Sequence, residues 1–188
     1  MEPQFEQTFD KEDFSENQLK GGDYECCTFS NCDFSNADLS ETKFMECEFT
    51  SCNLSSIALI QTVFQDVKFM DCKMLGLHFE DCSDFGLAFT FKNCLLNHSS
   101  FYKTKVKKII FKNCQLQEVD FTESDLTEAI FDNCDLFNAT FDRSILEEVD
   151  FKSSFNYVID PEINQIRKAK FSLSGISGLL VKHEIEIS

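Results

Sequence analysis

The spacing of large apolar residues constrains this chain more than any other feature. From Phe14 a bulky side chain returns at every fifth position, through Leu19, Tyr24, Phe29, Phe34 and Leu39 to Phe79. After one slip the same count resumes at Phe91 and runs to Phe151. Two places before each large residue stands a small one, most often Cys, Ala, Ser, Thr or Val. Neither a helix nor a strand yields a period of five sustained over so many units. A longer period is superimposed: FKNC at 91–94 recurs at 111–114, and FDNC follows at 131–134. A five-residue unit inside a twenty-residue one reads as one side of a four-sided coil, stacked on copies of itself.

Sorting by side tests that reading. Phe29, Phe49, Phe69, Phe91, Phe111, Phe131 and Phe151 fall in one column, and Cys32, Cys52, Cys72, Cys94, Cys114 and Cys134 fill the small position of the next side. Both columns stay pure across the slip if Phe85 supplies the centre missing between Phe79 and Phe91, so the two extra residues read as a bulge on one coil. Coils stack at about 4.8 Å, and seven make a rod of roughly 34 Å. Identical rings at that rise stack offset, while the small positions have room only for a side chain such as Cys, a small buried hydrophobe. All cysteines except Cys26 keep this register, which favours packing over the alternatives of thiolate metal binding or disulfides. Stacked Cβ atoms near 4.8 Å also exceed the roughly 3.8 Å a disulfide prefers. A reducing cytoplasm is the expected home.

Stretches such as CDFSNADLSETKF and VDFTESDLTEAIFDNCDLFNATF resemble the pentapeptide-repeat proteins. The resemblance implies an all-β fold, a right-handed quadrilateral parallel β-helix over residues 12–155, with about seven coils and a bulge near 83–90. Residues 1–11 become a lead-in and 156–188 a C-terminal cap and dimerisation segment. In that tail Asp160, Pro161 and Glu162 form a helix-start signal. Ser174 offers a second cap ahead of Ile176, Leu179, Leu180 and His183 at helical spacing, with Gly178 a weak point. Alternation through Glu184, Ile185, Glu186 and Ile187 signals a short strand. The tail is similar to that of the microcin B immunity protein, and this likeness to the quinolone-resistance and immunity branch implies a homodimer through the C-terminus. Ile176, Leu179, Leu180, Ile185 and Ile187 would form the cap or its interface.

Charge bounds the partners. The chain has 33 acids against 17 lysines and arginines, net −16. B-DNA carries one charge per ~1.7 Å, about 20 over the length of such a rod, so the two charge densities are of the same order. Direct nucleic-acid binding is thereby disfavoured, and a protein that itself binds nucleic acid becomes a natural partner. Residues 113–151 hold a run of acids against Arg143 alone. Glu118, Asp120, Glu123, Asp125, Glu128, Asp142, Glu147 and Glu148 are therefore the candidate partner-binding surface. Residues 91–112 hold no acid and six lysines: Lys92, Lys103, Lys105, Lys107, Lys108 and Lys112. That band reads chiefly as relief of a repulsive field.

No catalytic signature, phosphate-binding loop or paired CxxC motif occurs, and the surface carboxylates lack a cleft, so no enzyme, cofactor or metal is expected. The N-terminal MEPQFEQTFDKEDF lacks an export signal's basic and apolar regions, and no long apolar run suits a membrane. The resemblance implies a DNA mimic that binds a type II topoisomerase, DNA gyrase or topoisomerase IV, and protects it from quinolone or microcin-like inhibitors. The alternative is a binding or scaffold module for an unrelated protein.

Overall fold

The computed structural model describes residues 3–186. The chain winds as a four-sided parallel β-helix. One side carries seven short strands paired in parallel, from Thr8–Asp10 through Glu48–Thr50 and Phe89–Lys92 to Ile130–Asp132. The preceding side carries four, Gln4–Phe5, Asp23–Glu25, Lys43–Met45 and Val63–Gln65. The register is twenty residues: Phe29 pairs with Phe49, Phe91 with Phe111 and Phe111 with Phe131. At the bulge it lengthens to twenty-two, Phe69 facing Phe91. The remaining sides meet through single bridges such as Asp33 with Asn53 and Gln115 with Asp135.

Most corners are turned by a residue in the left-handed region. Asn31, Asn36, Glu41, Glu46, Ser51 and Ser56 follow one another at intervals of five with φ between 52° and 61°. Asn tolerates this conformation better than most residues. One corner adds a side-chain ladder: Asn133 donates to Asn113 (2.9 Å), Asn113 to Asn93 (3.0 Å) and Asn93 to Asp71 (2.8 Å).

Inside, the phenylalanine column is longer than expected. Rings from Phe9 to Phe171 stack at 4.6–5.5 Å between centroids, with interplanar angles of 6–19°. Phe9 and Phe171 extend it at either end, so the solenoid overruns both limits of the expected 12–155. The six cysteines of the second column are buried and every cysteine is a free thiol. They do more than fill space. Cys52, Cys72 and Cys134 each point Sγ at the backbone carbonyl oxygen twenty-three residues earlier, 3.4 Å away. Thr62, Ser144 and Ser154 make the same bond with a hydroxyl at 2.8–2.9 Å. The small position therefore selects a donor as well as a size.

The bulge corrects one expectation. Phe85 does not fill a centre; it stands 75% exposed. The vacant space is taken by Phe89, reaching in from a small position that holds Cys47, Val67 or Ala129 in other coils. Its ring lies 5.5 Å from Phe64 and 5.3 Å from Phe79. Those neighbours belong to different columns. Up to Phe64 the second aromatic column is Tyr24, Phe44 and Phe64; from Phe79 onward, Phe79, Phe101, Phe121 and Phe141 stack on the side opposite the Phe29 column. The second aromatic column thus passes from one side of the coil to another, with the Phe89 ring in contact with both parts.

The tail also departs from expectation. The Asp160 carboxylate accepts a bond from the Glu162 amide (2.8 Å), but residues 161–163 form a turn and no helix follows. Gln165 then returns to bond Ser144, Lys170 bridges Asp150, and Phe171 joins the ring column, so a further coil displaces the local helix signal. Instead of an α-helix at 176–183 there are two 3-10 turns, Ile176–Leu179 and Val181–His183. Glu184 takes a left-handed conformation and no strand forms over 184–186; Ile187 lies outside the described residues. The turns sit on Tyr157. A Cβ at Gly178 would stand 2.2 Å from the Tyr157 carbonyl oxygen, so this glycine is a contact requirement. Lys182 ties the cap to the preceding turn through Asp160 (2.7 Å) and Glu162 (2.6 Å).

Candidate protein-binding surface

Outward side chains one coil apart sit directly above each other, and the charges exploit it. Six of the eight candidate acids lie within 4 Å of a lysine or arginine: Glu123 with Lys103, Asp125 with Lys107, Glu128 with Lys108, Asp142 with Arg143, Glu147 with Arg167 and Glu148 with Lys168; Glu118 faces the His98 ring at 3.2 Å. Most of these pairs are twenty residues apart. Asp120 forms no such pair and accepts a bond from the Thr122 amide (2.8 Å). The lysine band and the acids after it are thus largely one ladder, with Lys112 added through Asp132 (3.3 Å). Each exposed pair contributes only about 0–1 kcal/mol, so the main effect is on the outward field.

The local electrostatics agree. Burial alone would raise the Asp125 pKa, yet the Thr127 hydroxyl and amide and the Lys107 ammonium hold it below the usual aspartate value. Arg167 lowers Glu147 through two hydrogen bonds of 3.1 and 2.8 Å. These carboxylates are settled anions with partners, not groups poised for proton transfer. Among the described residues no cluster of three or more His, Cys, Asp or Glu is placed to hold a metal ion, and no helix is long and apolar enough to cross a membrane.

The unpaired charge lies elsewhere. The first ninety residues hold 18 acids and 5 lysines, net −13; the remainder hold 15 acids against 12 lysines and arginines, net −3. Before the bulge, Glu25, Glu41, Glu46 and Asp66 form no ion pair among the described residues, whereas Asp23 and Glu48 do, with Lys43 and Lys68. Glu6, Glu25 and Glu46 gather around Cys26, whose thiol pKa is raised first by desolvation and then by these carboxylates. A count along the chain missed this asymmetry because it weighed runs of like charge; comparing each residue with the one twenty later would have found it.

At the C-terminal end, Ile176 and Ile185 are exposed and Leu180 is half-buried, while Leu179 packs against the core. Sequence reasoning passed over Leu173, the most exposed apolar residue there at 91%. Phe155, Val158, Ile163 and Val181 are also exposed at that end.

A parallel β-helix with five-residue sides, left-handed corners and a phenylalanine column defines the class of protein. The chain belongs to the pentapeptide-repeat family: the family model for a pentapeptide repeat region matches residues 22–90 and 87–155. Among solved structures it is similar to a trypsin-treated variant of QnrB1, a plasmid-mediated fluoroquinolone resistance protein. That match has a TM-score of 0.64 at 18% identity, covering 97% of this chain and 99% of the other. A second trypsin-treated QnrB1 variant matches at a TM-score of 0.50 and 21% identity, with both chains fully covered. At such identities the likeness is one of fold. No curated protein matches the chain in sequence.

Proposed function

We propose that this protein is a non-enzymatic acidic rod that occupies the cationic DNA-binding surface of a type II topoisomerase, and that it docks through its N-terminal half. The observation that supports the docking face is the charge asymmetry: coils before the bulge carry most of the net charge, whereas most of the acids after it are paired with lysines or arginines. Opposite charge would supply steering and specificity, and binding would weaken with salt. Protection from a quinolone or a microcin-like inhibitor would follow from occupying that surface. The free thiols suit a reducing cytoplasm.

The test compares two neutralised panels in a gyrase binding and supercoiling assay. Glu41→Gln, Glu46→Gln and Asp66→Asn together should weaken binding by roughly tenfold, about 1.4 kcal/mol. Glu123→Gln, Asp125→Asn and Glu128→Gln should change it far less. Wild-type protein that binds gyrase no better than the first panel at low salt would end the topoisomerase reading. The exposed apolar residues of the C-terminal end support a homodimer there. Deleting residues 172–188 should leave the coil spectrum and give a monomer by light scattering; a persistent dimer would place the interface elsewhere.

A further inference from the structure

The two ends of the rod are finished differently. The C-terminal end is closed by the turns over Tyr157. The N-terminal end is a mouth of about 490 Å³, with Phe9, Phe14 and Tyr24 among its walls. It lies beside two edge strands, β1 (Gln4–Phe5) and β2 (Thr8–Asp10), which end their sheets with no further strand beyond them among the described residues. One coil in, Thr28 donates toward the N-terminal end, to Gln7, and Asn31 donates the other way, to Thr50. Lys11 donates inward to Ser30, in step with Asn31. The same alternation turns the Thr8 and Asp10 N–H groups outward from the rod. A half-apolar solenoid end whose edge strands have no neighbour among the described residues is a template for one more strand.

Charge decides which strand. Residues 3–25 hold seven acids against Lys11 and Lys20. A second copy of this end would bring like charges together, so self-pairing is disfavoured. We propose that the mouth takes an extended segment of a partner protein by strand addition along β2. The segment has a bulky apolar side chain that enters the mouth and lysines or arginines that meet Glu6, Asp10, Glu12 and Asp13. This proposal is independent of the topoisomerase reading, which concerns the side of the rod.

The probe is the peptide acetyl-Lys-Val-Lys-Phe-Lys-Val-Lys-amide, added to the full chain and followed by amide hydrogen exchange and titration. Binding should slow exchange at Thr8 and Asp10 and shift the Tyr24 resonances. Glu6→Lys with Glu12→Lys should reduce affinity by about tenfold. Thr8→Pro, which removes one outward donor, should abolish the protection. Should Thr8→Pro fail to fold, a peptide N-methylated at alternate residues makes the same test on the wild type, and its binding should be lost. Three outcomes overturn the proposal: binding without protection at Thr8 and Asp10, undiminished binding of the N-methylated peptide, or a head-to-head dimer that excludes the peptide.

Discussion

Single residues set both the dimensions and the satisfaction of this core. Phe111 sits between Phe91 and Phe131 at 5.2 and 5.0 Å, with no exposed surface. Phe111→Ala should cost roughly 3–5 kcal/mol. Thr122→Ala, at an outward position, should stay within about 0.5 kcal/mol. Equal melting shifts would reverse the inside and outside assignments. Ser154 tests the donor role of the small position, because its hydroxyl bonds the Phe131 carbonyl (2.8 Å) and receives the Cys134 amide (3.1 Å). Ser154→Ala should cost about 1–3 kcal/mol in chemical denaturation by stranding buried groups. Ser154→Cys should recover much of that, as the cysteine coils do. The size rule was legible in the sequence, since Cys32 to Cys134 repeat in step. The donor rule was not, because period alone does not distinguish a thiol that fills space from one that bonds a carbonyl in the coil below.

At the level of elements, the bulge and the cap show where local signals lose to the coil. Phe85 and Phe89 both lie between Phe79 and Phe91, and the midpoint of the slipped count selects the first; the structure buries the second, whose ring packs between Phe64 and Phe79. Phe89→Ala should therefore cost about 3–5 kcal/mol and Phe85→Ser within about 0.5 kcal/mol, a contrast readable in paired melts. Of the tail's helix signals, only the bond from the Glu162 amide to the Asp160 carboxylate forms, and it closes a turn. Pairing of Gln165 and Lys170 with the coil below then outweighed helix propensity, which is a weak prior. Gly178→Ala should loosen the cap against the Tyr157 carbonyl, seen as faster amide exchange at Ile159, whose N–H bonds Gly178 (3.0 Å).

Over the whole molecule, charge couples the coils to pH. Burial would raise Asp125 and Asp150, but the Thr127 and Lys107 contacts of the first and the Lys152 and Lys170 contacts of the second hold both below the ordinary aspartate value. A depressed native pKa stabilises above the unfolded value, near 3.9, and that contribution is lost as pH falls through the native one. The melting temperature should thus be nearly flat between about pH 7 and 5 and drop below about 4. A drop already complete at pH 5 would contradict it. The fold was legible because one period recorded the inward face of every coil. The pairing of the charges was not, because the sequence displays them in a line while the rod arranges them in columns.

Those columns also fix how the rod must yield to force. The bonds between coils run along the axis, so tension applied to its ends loads successive coils in series rather than in parallel. Each coil that peels away releases twenty residues, about 65–70 Å of extended chain, in place of a rise of about 4.8 Å. The protein should lengthen under a pulling probe in nearly equal steps, with one longer step of twenty-two residues where Phe69 faces Phe91. A mechanical trace would then count the coils and mark the bulge.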